Sequence, residues 1–277
     1  MIKQQLIMEK ALELFAIQGF DATSVQQITD HCGISKGAFY LSFKSKDELI
    51  IALIDYFMKQ IISEIDHLVR NTKDDSQLLY NLYYATFNYF GKHANFAKFF
   101  MKEQTQSFNQ ELIQKVRYYD QLNDRTIMYL IERVYGDKVK HTKYDIILCI
   151  KALMKTYSEL LLFYNTSLDL SLLAKSLAEK TDLLVKHTTV PFITDELVKI
   201  LQQPLCEEVS RDGLLEILDQ TIDEIDEYIE KESLIMLRDH IVKPSLHPAV
   251  LQGLLENIRN HTHCKWISYL LRSYCLK

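Results

Sequence analysis

Between Ser35 and Lys46 the chain reads SKGAFYLSFKSK, and no acidic residue occurs from Cys32 to Lys46. Lys36, Lys44 and Lys46 bring positive charge; Ser35, Tyr40 and Ser42 bring hydroxyls. Cations interleaved with hydroxyl donors suit phosphate contact, in which charge supplies affinity and hydrogen bonds set register. Phe39 and Phe43, four apart, fall on one face of a short helix and would anchor it to a core. Gly37 and Ala38 are small enough to let a backbone come close.

Other residues invite different chemistry. Residues 80–101, YNLYYATFNYFGKHANFAKFFM, are dense in aromatics. With a few hydroxyls, such walls suit a bulky apolar or aromatic ligand, although core packing explains most of them equally well. His261, His263 and Cys264 form HTHC, a weak metal signature with no partner pair at metal-site spacing. The five cysteines form no CxxC pair, and an odd count argues against a disulfide framework. No nucleophile–base–acid set, phosphate loop or paired-carboxylate motif stands out, so neither an enzyme nor a bound cofactor is expected.

The elements that must position these residues are helical. The chain has 277 residues, is 48% hydrophobic, and contains only 7 Gly and 4 Pro. A length prior of about 150 residues per domain suggests two domains. The net charge of −5 is uneven: from Phe192 onward there are 9 Lys/Arg against 15 Asp/Glu. No apolar run reaches membrane-spanning length, and a cytoplasmic protein is expected. Leu6, Ile7, Ala11, Leu14 and Phe15 mark a first helix over 3–18. Thr23 with Gln26 reads as a capping box for a second helix, ended by Gly33. Ser35 caps a very short third helix to Phe43, and Ser45 with Glu48 caps a fourth. Helix, glycine turn and short helix are the parts of a helix-turn-helix, whose second helix enters a major groove. Lysine at position 46 suits the start of a helix poorly, and a bound phosphate would explain it.

The run AIQGFDATSVQQITDHCGISKGAFYLSFKSKDELI resembles the DNA-binding domain of TetR-family transcriptional repressors. The shared pattern is Gly19-Phe20, Thr23-Ser24-Val25, Ile28, Gly33-Ile34-Ser35-Lys36-Gly37, Phe39-Tyr40, Phe43 and Ser45-Lys46-Asp47-Glu48-Leu49. It spans about 45 residues, roughly a sixth of the chain. Two departures are Ser42, where the family often has histidine, and the near-zero charge of residues 1–50. The resemblance implies that Thr23, Ser24 and Val25 meet phosphate and that Gln26 touches a base. Lys36 and Ala38 would read base edges, with Leu41 on a methyl. Tyr40, Ser42 and Lys46 would hold the backbone, with Ser35 and Gly37 completing the surface.

The expected architecture is all-α, with a helix-turn-helix domain at 1–47. A ligand-binding and dimerisation domain would span 48–190, and an extra helical extension 191–277. Further helical patterns fall near 46–70, 75–92, 94–104, 107–135, 142–165, 169–187, 248–260 and 264–274. Leu215, Leu218, Ile222, Ile225 and Ile229 form one more apolar stripe, with an acidic outer face. Ile146, Ile150, Leu153, Tyr157 and Leu160 recur at a 3.5-residue period; with Leu173 and Leu177 they would form a four-helix dimer bundle. Tyr80, Tyr83, Tyr84, Phe87, Phe90, Phe100 and Tyr119 are the candidate ligand wall. The function expected is a homodimeric repressor that binds a palindromic double-stranded operator. A small hydrophobic inducer would release it, and no membrane is involved. The alternative is an adaptor that binds DNA without an inducer and docks a protein through its C-terminal helices.

Overall fold

The computed structural model describes residues 2–103, 110–164, 168–201 and 209–275, and within them the regular elements are helices. The head comprises α1 (Ile2–Gln18), α2 (Val25–Cys32), α3 (Lys36–Tyr40) and the start of α4 (Lys46–Asn71). Its core is Ile7, Ala11, Phe15, Ile28, Phe39 and Leu49, all fully buried. Gly33 ends α2 at φ 66°, a left-handed conformation that costs glycine little. Its N–H and that of Ile34 return to carbonyls of the last turn.

The caps differ from expectation in two places. Ser24, not Thr23, is the N-cap of α2, and its box partner is Gln27. Thr23 is buried; its hydroxyl donates to the Gly19 carbonyl and accepts from Gln18 Nε2. A buried hydroxyl bonded on both sides satisfies the turn, which leaves the next residue to cap. Likewise Ser45 caps α4 by accepting from the Glu48 N–H, but the Glu48 carboxylate reaches back to the Lys44 N–H. The third helix stops at Tyr40, and Phe43 lies beyond it, still buried.

The body is built around α4, whose 26 residues span about 39 Å at 1.5 Å per residue. Buried side chains run its whole length, from Leu49 and Ile50 to Ile65 and Val69. Three helices pack on it: α5 (Leu78–Lys92), α7 (Gln110–Tyr135) and α14 (Lys265–Cys275). Arg133 of α7 caps its C-terminal end, donating to the Val69 and Thr72 carbonyls. Between α5 and α7 lies α6 (Ala94–Glu103), which packs on α1, with the Phe15 and Phe99 rings 5.5 Å apart. α8 (Lys143–Phe163) and α9 (Leu170–His187) cover the other side of α5.

The last segment has α10 (Asp195–Leu201), α11 (Arg211–Glu224), α12 (Tyr228–Val242) and α13 (Pro248–Arg259) before α14. The single stripe expected over 215–229 is broken: Ile225 is buried in the junction after α11, and Ile229 is exposed on α12. Asp219, Asp223 and Glu224 crowd the C-terminal end of α11, where the helix dipole disfavours negative charge, and α11 stops there. α14 then carries this segment back onto α4.

One polar knot ties α4 to α7. Asp55 accepts from Tyr119 Oη at 2.6 Å, and Lys59 and Lys115 lie 2.6 and 2.8 Å from its oxygens. Burial alone would raise the Asp55 pKa, but the two lysines and the hydrogen bonds together hold it below its ordinary value. A lowered folded-state pKa contributes stability above the unfolded value of about 3.9, which is lost as pH falls through the folded value. Asp55→Asn should therefore cost about 2 kcal/mol at pH 7 and flatten the acid limb of the stability profile. Urea melts across pH 2–7, compared with wild type, check both; an unchanged acid limb would count against the knot.

Candidate nucleic-acid interface

The surface of the head follows from its caps. Ser35 Oγ accepts from the Ala38 N–H and starts α3. Phe39 then turns inward and is fully buried, with Phe43 6.1 Å away. This leaves Ser24, Gln26, Ser35, Lys36, Gly37, Tyr40 and Leu41 exposed, with Ala38 and Ser42 half-buried at the edge. Leu41 is 89% exposed, an apolar side chain in water at the end of a five-residue helix. Tyr40 stands on Phe39 edge-on at 5.4 Å, which holds its ring, and the residue remains exposed. Lys36 and Tyr40 make no side-chain hydrogen bond within the described residues.

Three expected contacts are altered. Thr23 is buried and bonded internally, so its side chain offers nothing to a phosphate. Val25 packs half-buried against the core. Lys46 does not reach into solvent: its Nζ donates to the Phe20 and Thr23 carbonyls at 2.6 and 2.8 Å and lies 4.1 Å from the Phe20 ring centroid. A lysine at this helix start is explained by the α1–α2 loop, whose carbonyls need a donor, and requires no phosphate. Gln26 spends one amide proton on Asp30 at 2.6 Å, and the Ser42 hydroxyl donates to Ala38 O at 3.3 Å; each keeps acceptor capacity. Lys44, the third lysine of the opening run, is exposed.

The ligand residues do not share one wall. Tyr83 and Phe87 are fully buried, and Tyr83 Oη bonds Thr181 of α9 at 2.7 Å. Burial pushes that phenol up to about 12. Tyr80 and Tyr84 stack on each other at 5.8 Å, and Tyr84 is 37% exposed. Phe100 stacks near Phe96, which stacks on Phe57 of α4 at 4.3 Å; Phe90 is half-buried. Tyr119 lies apart from these, held by Asp55 and 6.2 Å from Trp266 of α14. The aromatic helix α5 is thus largely core.

The stripe expected at a dimer interface also divides. Ile146, Ile150 and Leu177 are fully buried within the chain, and Leu153, Tyr157 and Leu173 are partly so, because α8 and α9 need that face for α5. Leu160 alone of the seven is exposed. Leu148, Phe163, Tyr164, Leu172 and Leu183 join it on the outer side of α8, α9 and their junction.

At HTHC, Cys264 is fully buried and burial pushes its thiol up to about 12, while His261 lies 3.4 Å from Glu227. No group of three or more His, Cys, Asp or Glu among the described residues could hold a metal. No described helix is long and apolar enough to cross a membrane.

An exposed recognition helix on a capped three-helix head, set on an all-helical body, defines a helix-turn-helix transcriptional regulator. Residues 7–53 match the model for bacterial regulatory proteins of the tetR family. The chain is 27% identical over 268 residues to the Bacillus subtilis protein YuxN, an uncharacterized HTH-type transcriptional regulator; the match covers 92% of this chain and 91% of YuxN. Its fold is similar to that of the fatty acid degradation regulator FadR from Bacillus halodurans, with TM-score 0.58 and 20% identity, covering 65% of this chain and 94% of FadR. A Bacillus subtilis FadR solved with stearoyl-CoA gives TM-score 0.56 and 21% identity over 67% of this chain and 99% of that one. The head of this chain is thus similar to the DNA-binding domain of the tetR family, and over most of its length the chain is similar to HTH-type transcriptional regulators.

Lys46 and Lys36 should separate on substitution. Lys46→Met should lower head stability by about 1 kcal/mol, since the Phe20 and Thr23 carbonyls lose a charged donor. Lys36→Ala should leave the melt unchanged and weaken DNA binding, with the salt slope reduced by about 1 per head. Thermal melts beside salt-series gel shifts read both, and a Lys46→Met protein as stable as wild type would remove the role given to Lys46.

Proposed function

We propose that the chain is a dimeric repressor that binds a palindromic operator through two α3 helices and is released by a hydrophobic, acyl-type ligand. The observation that carries the DNA half is the exposed face of α3. Lys36, Gly37, Tyr40 and Leu41 present a cation, a close-approach point, a hydroxyl and a methyl-seeking side chain over one and a half turns. None of the four is needed to cover the head's own core.

The dimer reading rests on Leu148, Leu160, Phe163, Tyr164, Leu172 and Leu183, large apolar side chains left in water along α8, α9 and their junction. A second copy related by a two-fold axis would cover them, and a symmetric dimer places two heads on a symmetric site. The ligand reading rests on the stearoyl-CoA bound to the Bacillus subtilis FadR of similar fold; the aromatic and aliphatic side chains packed between α4 and α5–α8 would part to admit such a ligand. A ligand lodged there would act on the head by two routes. One is α4, continuous from Lys46 to Asn71; the other is α6, which touches α1 through Phe99 and Phe15. Release follows if the ligand binds better to the arrangement in which the heads no longer match successive grooves.

Two measurements test this reading. Leu160→Glu with Leu172→Glu places charge only at exposed positions, so the fold should survive while light scattering shows a monomer and operator affinity falls at least tenfold. A folded double variant that remains a dimer would move the interface elsewhere. Genomic fragments retained by the purified protein supply the operator; long-chain acyl-CoA and free fatty acids are then screened for its release. Release by neither, together with unchanged thermal stability in their presence, would leave the ligand half without support.

A further inference from the structure

The contact between α4 and α14 contains an unusual seam. Most of it is apolar, yet Ser63, Glu64 and His67 of α4 face Lys265, Ser268, Tyr269 and Arg272 of α14 across a recess that Arg259 of α13 closes at one side. The recess is narrow and opens to solvent. Ser63 and Ser268 are what make room: each is buried, and each turns its hydroxyl onto a carbonyl, Lys59 O and Leu255 O. Two larger apolar side chains would fill the gap, as they do elsewhere along α4.

The charges around the gap do not balance. Arg272 is buried; its Nη2 donates to Glu256 Oε1 at 2.7 Å and its Nη1 reaches Asn71 at 3.5 Å. Glu256 also lies 3.5 Å from His67 Nε2, and Lys265 lies 4.0 Å from Glu64. Asp66 also lines the recess, but its carboxylate is engaged by Arg70 and Thr126, so that Asp66 and Arg70 offset each other. Arg259, half-buried, has no hydrogen-bond or ion-pair partner among the described residues. Three permanent cations therefore meet two carboxylates, and one guanidinium fork is unused. Burial, with the Arg272 charge added and Glu256 and Glu64 opposing, pushes the Arg259 pKa down. Burial and then the Arg259 charge hold the His67 imidazole down at about 4. Both directions fit a locally positive site that lacks an anion.

We propose that this recess binds a small oxyanion, a phosphate or carboxylate group, held by the free fork of Arg259 with Lys265 and Arg272 around it. A planar fork matches two oxygens of either group, and a partly buried, charge-assisted pair is among the stronger polar contacts. The recess is too small for an acyl chain, and the oxyanion would sit at its open mouth. The site joins α4 to the C-terminal helices and lies apart from the aromatic helix α5, so it does not depend on the acyl ligand proposed above.

The chain carries its own reporter. Trp266 is the single tryptophan; it follows Lys265 and stacks on Tyr269, a lining residue, at 5.1 Å. Its fluorescence is followed while inorganic phosphate, and separately acetate, replaces chloride at constant ionic strength and pH. A saturable change is expected with at least one probe. Phosphate alone would identify a phosphoryl group, acetate alone a carboxylate, and both a general oxyanion site. Arg259→Gln should weaken the response at least tenfold with its melt unchanged, and Lys265→Gln should weaken it several-fold. The proposal is overturned if neither probe saturates, or if folded Arg259→Gln titrates like wild type. No DNA is present, so the outcome is independent of operator binding.

Discussion

Everything in this molecule is arranged around the need to bury α4. An isolated amphipathic helix presents one apolar stripe, but α4 carries buried residues at Leu49, Ile50, Leu53, Ile54, Phe57, Ile61, Ile62, Ile65 and Val69, a band too wide for one neighbour. The head covers its first turns, α5 and α7 its middle, and α14 its last turns. Each neighbour removes apolar area from water, which is the main source of its own attachment. Because all of them share one rod, the orientation of the head and that of the C-terminal helices are set by the same element.

The polar groups along α4 follow from that burial. Where α4 is covered, several of its polar groups are answered from other elements. Asp55 meets Lys115 and Tyr119 of α7, the C-terminal carbonyls meet Arg133, and His67 meets Glu256 of α13. Such pairs contribute modestly to net stability, but breaking one leaves a buried charge exposed to a low-dielectric surrounding. They fix rotation and register where apolar packing alone would permit sliding.

The head was legible in the sequence because its signals are local. A glycine in the left-handed turn, serines at caps and a pair of phenylalanines four apart act within a few residues, and Gly33, Ser35, Ser45, Phe39 and Phe43 behave as their types require. Errors appeared where a distant group decided. Thr23 and Ser24 are equally good caps by type; the Gly19 carbonyl, available only in the folded turn, engaged the first and left the second. Lys46 looked displaced until the Phe20 and Thr23 carbonyls were placed beside it. The 3.5-residue stripe on α8 correctly marked a packed face, but periodicity does not say whether the covering helix belongs to the same chain. In α5 the density of aromatics suggests a wall, while the bond from Tyr83 to Thr181 depends on a helix nearly a hundred residues later. The recess beside Arg259 had no sequence signal, since its parts come from α4, α13 and α14.

The contact of Phe15 with Phe99 bears on how portable the head is. Families of regulators are often pictured as interchangeable reading units on varied sensors, and a cut after residue 47 looks natural in the chain. Here that cut would sever covalent continuity at α4 and leave an aromatic face of α1 without its partner on α6. A transplanted head would need a host whose α6 offers a ring at the same place, or would carry an uncovered phenylalanine into every chimera. Exchange of reading specificity is therefore better confined to the outward residues of α3, where Lys36, Tyr40 and Leu41 can vary without disturbing the joint.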